Sequence, residues 1–235
     1  MHRREFMGTC SGALACSAIA APAVAGEQSR TPRLYQRARL VDETGARLRA
    51  SQVPLRRNLL FAYPYLATPA FLLNLARPAE ATASLTDSGG TPYDWPGGVG
   101  PAGAIVAFSA ICAHQLAYPA REISFISYRD KPGGANRRGE VIHCCAEHSQ
   151  YDPAAGARVL AGPAPQPLTA ILLEYDRRDD SLTAVGTLGG EVYDAFFAKY
   201  AFKLDLEHGG RQRELVGVET RVQPIEKVCR QRVQC

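Results

Sequence analysis

Two short stretches, Cys112-Ala-His114 and Cys144-Cys145-Ala-Glu-His148, constrain this chain more than anything else in its 235 residues. Each follows an apolar run of strand character, "AIVAFSAIC" and "EVIHCC", and places sulfur and imidazole donors in a tight loop. A fold that uses both loops together must bring them face to face. Short strands joined by tight turns can do this.

The rest of the chain fits that demand. "LLFAYPYLATPAFLLNLARP" reads as two strands broken at prolines, and "LTAILLEYD" with "SLTAVGTL" reads as a hairpin around "RRDD". "EISFISYR" and "EVIHCC" read as strands around the turn-rich "DKPGGANRRG". Residues 79–103, rich in Gly, Pro, Ser and Thr, read as a long surface loop, and residues 26–50 as a loose arm. Helical periodicity is scarce before about residue 190, so an all-β antiparallel sandwich or barrel is expected, with residues 196–235 as a terminal extension. No internal repeat is visible. A formal charge of +4, spread along the chain, argues against a nucleic-acid partner.

The start of the chain adds a compartment. Arg3-Arg4-Glu5-Phe6, a run of small and apolar residues, and Ala23-Val24-Ala25 resemble a twin-arginine export signal over residues 1–25. Export to the periplasm is expected, with membrane contact only if the signal stays uncleaved. Removing it leaves Cys112, Cys144, Cys145, Cys229 and Cys235. Five cysteines cannot all pair within one molecule. Cys229 and Cys235 are close enough in sequence to form a small disulfide loop.

Three objects use such donors: an iron–sulfur centre, a zinc site, or a disulfide beside core histidines. Zinc fingers of the Cys2His2 kind group their cysteines and then their histidines, unlike the split seen here. Cys-x-His, then Cys-x-x-His, then Tyr151-Asp152 and Gly162-Pro163-Ala164-Pro165 resemble the cluster-binding domain of Rieske proteins. In a Rieske 2Fe–2S centre, two cysteines bind one iron and two histidines the other. The resemblance implies Cys112 and Cys145 on the first iron and His114 and His148 on the second. It also implies a Rieske-type β-sandwich over residues 51–195, its cluster-binding part at about 108–168. Ser149 and Tyr151 are candidates to tune the cluster through hydrogen bonds, and Pro163 lies in the shielding third loop. Cys144, by strand alternation, is expected to point away as a small buried apolar residue.

Three features depart from the family pattern. Ala117 and Glu147 stand where many members carry a bridging cysteine pair. The stretch between Cys112 and Cys145 is long, and the segment from His148 to Tyr151 is one residue short. Beyond the loops, "NLLFAYPYLATPAFLLNLARP", "GGVGPAGAIVAFSAICAHQ" and "ILLEYDRRDDSLTAVG" resemble the small subunit of arsenite oxidase. That implies electron transfer between a molybdopterin-containing large subunit and a c-type cytochrome. A Rieske subunit of a quinol–cytochrome c oxidoreductase is the alternative, and a binding module without a cluster a third. No acid–base pair or nucleophile emerges, so the chain reads as an electron carrier and not as a catalyst by itself.

Overall fold

The structure, a computed structural model, describes residues 31–134 and 137–235. The export signal read over 1–25, with Cys10 and Cys16, lies outside the described residues. The architecture is mostly β, as the sequence led us to expect.

The strands are β1 (Arg33–Val41), β2 (Leu59–Ala62), β3 (Pro69–Asn74), β4 (Ala83–Thr86), β5 (Pro92–Trp95), β6 (Ile105–Ser109), β7 (Ile123–Ser124), β8 (Ile126–Arg129), β9 (Val141–Cys144), β10 (Ser149–Asp152), β11 (Arg158–Ala161), β12 (Ala170–Asp176) and β13 (Ser181–Leu188). There follow helices α1 (Tyr193–Lys199) and α2 (Ala201–His208), then β14 (Glu219–Arg221), β15 (Gln223–Pro224), α3 (Ile225–Val228) and β16 (Gln231–Arg232). Among the described residues the largest sheet has eight strands, ordered β14-β1-β13-β12-β6-β3-β2-β15. A four-stranded sheet, β11-β10-β9-β8, carries the second Cys/His stretch.

The centre of the large sheet explains its apolar runs. β6 is buried at every residue. Val106 and Phe108 pack into one core with Phe71 and Leu73 of β3, whereas Ile105 and Ala107 pack into another with Ala70 and Leu72. Alternate residues of one strand thus serve two cores. The first core continues into the small sheet through Ile126, Tyr128, Ile142, Cys144 and Tyr151. Asn58 fastens the two sheets at that seam. Its buried amide donates to the Tyr128 carbonyl at 2.9 Å and accepts from the Tyr128 N–H at 2.7 Å.

Three expectations need correction. The residues read as a loose arm contain β1, which pairs antiparallel with β13 and parallel with β14. The supposed surface loop 79–103 contains the β4–β5 hairpin, whose Leu85, Tyr93 and Trp95 are buried. Their period-two spacing around Asp87-Ser88-Gly89-Gly90 is a hairpin signal outweighed by the small and polar residues on either side. The extension after residue 195 is no appendage either: Ile225 and Cys229 lie in the first core, β15 pairs with β2, and β16 with β7. Among the described residues no helix is long and apolar enough to cross a membrane.

Candidate metal centre

The first loop leaves β6 and is pinned at its base. The Cys112 N–H donates to the Ala117 carbonyl at 2.8 Å, and the Leu116 N–H donates back to the Cys112 carbonyl at 3.0 Å. Helix α1 braces it from outside: Tyr118 meets the Phe196 ring edge-on at 4.9 Å, and Lys199 Nζ donates to the Gln115 carbonyl at 2.7 Å. The second loop is the turn 145–148 between β9 and β10. Here pairing register decides everything. Cys144 lies opposite Ser149 and Ile126, and Ile142 lies opposite Tyr151 and Tyr128. Opposed residues of antiparallel strands share a face, so Cys144, Ser149 and Tyr151 point together toward the first core. His143 faces the other way, opposite Gln150 and Ser127.

On the core face the chemistry converges on Cys112. The Tyr151 hydroxyl lies 3.3 Å from Cys112 Sγ and accepts from the Ala113 N–H, also at 3.3 Å. Burial, followed by the neighbouring Cys112 charge, pushes the Tyr151 phenol far up, so it stays protonated and donates to the sulfur. The Cys112 thiol is pushed down to about 6. The Cys144 thiol donating to it is the largest cause and outweighs burial, with Tyr151 and the His114 and Gln115 N–H groups adding to it. Cys144 is pushed up by that same hydrogen bond and by burial, while the Ala146 and Glu147 N–H groups oppose the rise. Backbone N–H groups of the first loop thus point at the Cys112 sulfur and those of the second loop at the Cys144 sulfur.

Two buried polar atoms here find no partner: His114 Nδ1 and Ser149 Oγ. An orphaned ring nitrogen and an orphaned hydroxyl beside two sulfurs fit a bound metal–sulfur group, which would accept from the hydroxyl and be ligated by the ring. The third loop closes over them. At Gly162, with φ +87°, a Cβ would stand 2.5 Å from the Ser149 Cα and 2.7 Å from the His148 carbonyl oxygen. Only glycine lets this loop approach so closely. Pro163 follows on the exposed side.

The structure thus places Cys112, Ser149 and Tyr151 together, with His114 on the loop of Cys112, and sets the other two assigned ligands, Cys145 and His148, on the opposite face. Cys145 is bonded to Cys235 and is no thiolate. His148 is exposed on the opposite face, its ring 5.7 Å from that of buried His143. Cys144 takes the place assigned to Cys145. Nor does Cys229 pair with Cys235: it is a free, buried thiol. The sequence reading missed that Cys144 faces the first core and that Cys235 reaches Cys145 beside His143. The signal lay in the one-residue deficit between His148 and Tyr151, which disappears when the motif is counted from Cys144.

No family model matches the chain. Among solved structures it is similar to the soluble domain of the Rieske protein II (soxF) from Sulfolobus acidocaldarius, at 29% identity over 65% of this chain and 78% of that one, with a TM-score of 0.46.

Proposed function

We propose that this protein is an electron carrier holding a 2Fe–2S cluster at a Rieske-like site on Cys112, Cys144 and His114, with exposed Glu147 standing where a Rieske centre has its second histidine. The observation that carries the reading is the orphaned His114 Nδ1 and Ser149 Oγ on the same face as two buried cysteines, Cys112 and Cys144. Counted from Cys144, Glu147 occupies the motif's second-histidine position, and its N–H already reaches the Cys144 sulfur. A bound 2Fe–2S cluster supplies reversible one-electron transfer. The chain's own work is to set the potential and exclude water. Tyr151 donates to the Cys112 sulfur, the loop N–H groups point at both sulfurs, and Ser149 offers a further donor. All of these stabilise added negative charge. Ile126, Ile142 and the Gly162 loop close the surroundings.

The proposed setting is the periplasm, with the chain as small subunit of a molybdopterin oxidoreductase resembling arsenite oxidase. The resemblance of β2–β3, β6 and β12–β13 to that subunit supports this, as does the lack of a loop-to-loop cysteine pair. In the corrected register the second position of that pair is Ala146. The exposed loop tips, Gln115 and Ala146 to His148, are the natural docking edge. Purified protein is expected to contain iron and acid-labile sulfide in equal amounts, and the native complex to contain molybdenum. Recovery with a cytochrome b and no molybdenum would favour the quinol-oxidising alternative; absence of labile sulfide would overturn the cluster.

A further inference from the structure

The opposite face of the β9–β10 hairpin gathers a second set of donors that the cluster does not use. One ligand atom from each of His143, His148 and Cys235 lies within 4.8 Å of the others. Cys235 Sγ is already 3.6 and 3.7 Å from the His143 ring nitrogens. Cys145 is joined to Cys235 and adds a fourth donor, with Cα atoms 5.7 Å apart. A tetrahedral zinc site, with bonds of about 2.0–2.3 Å, places its ligand atoms about 3.3–3.8 Å from one another. The three measured donors need move little to reach that. His143 is fully buried, Cys235 half-buried and His148 exposed, which leaves one side open for entry.

We propose that His143, His148, Cys145 and Cys235 form a redox-gated site for a zinc-class divalent cation, closed while the disulfide stands. Opening needs a dithiol reductant. It gives two electrons and two protons to the Cys145–Cys235 bond and is itself oxidised to a disulfide. The entering cation then displaces the two thiol protons to solvent, leaving a Cys2His2 set with thiolate and imidazole donors. The Arg129 guanidinium, whose Nη2 lies 3.5 Å from Cys145 Sγ and also donates to the Val233 carbonyl, is placed to steady the thiolate charge. The consequence is a tail that is tethered covalently under oxidising conditions and through a metal ion under reducing ones.

The test uses the full-length, cluster-loaded protein. It is treated with a dithiol, freed of it anaerobically, dialysed against zinc, and assayed for zinc, iron and labile sulfide in one sample. Reduced protein should retain one equivalent of zinc, and unreduced protein none. Cys235→Ser and His143→Gln should each weaken zinc binding by more than the roughly 10–100-fold that loss of a supporting residue costs, with iron unchanged. Zinc uptake without reduction, or undiminished in Cys235→Ser, would overturn the proposal. Zinc gained only as iron is lost would also overturn it, because the ion would then sit on the cluster face. If iron is absent throughout while zinc behaves as expected, the second site stands and the cluster reading falls.

Discussion

The two faces of the β9–β10 hairpin carry similar chemistry and treat it differently. On the core face, Cys144 sits beside Cys112 with Tyr151 and Ser149 at hand, every side chain buried and two polar atoms unpaired. On the outer face, Cys145 and Cys235 have already satisfied one another, and His143 and His148 stand beside them. Cys144 and Cys145, adjacent in sequence, thus end in different environments because one closes the strand and the next opens the turn. A thiol inside a core with an unpaired imidazole nearby is poised for a metal. A sulfur at the turn, within reach of a tail, is poised for a crosslink. The environment sets what a cysteine does.

Replacing Cys112 with Ser should abolish cluster loading, because this thiol is the point on which Cys144, Tyr151 and the first loop converge; full iron content in that variant would break the contrast at once. Replacing Cys235 with Ser acts on the other face. It removes a crosslink between residues 90 apart and should lower stability by about 2–5 kcal/mol, measured by denaturant unfolding, while iron content is kept. Equal loss of iron and stability would show that the faces are not independent. Asn58→Ala cuts the amide clasp between the sheets and should cost about 1–3 kcal/mol, with an unaltered spectrum in the loaded protein.

Tyr151→Phe should have the smallest effect and the sharpest meaning. Losing one donor to the Cys112 sulfur should lower the reduction potential by roughly 20–60 mV, equivalent to about 0.5–1.5 kcal/mol for one electron. The same substitution at Tyr128, whose ring lies in that core without a bond to either sulfur, serves as the control and should leave the potential unchanged.

How far the sequence reached is clearest at particular residues. The hairpin β12–β13 and the strands β2, β3, β8 and β9 were readable because alternation and punctuating turns coincide there. β1 was not, because its first residues are exposed and arginine-rich; its place comes from pairing with β13 and β14, partners far along the chain. Cys112 and His114 stood out by their spacing, whereas Ser149 and Tyr151 entered only as candidates through the resemblance to the Rieske motif. The choice between Cys144 and Cys145 depended on register, since a slip of one residue exchanges the two faces of a strand. Cys235 was beyond reach for another reason: no local pattern joins it to Cys145.

The most direct test of this account compares Cys144→Ser with Cys145→Ser, each assayed for iron, labile sulfide and the electron paramagnetic resonance of the reduced cluster. Cys144→Ser is expected to leave the site empty and Cys145→Ser to leave it loaded, the latter with a freed Cys235 thiol open to alkylation. A loaded Cys144→Ser beside an empty Cys145→Ser would contradict it.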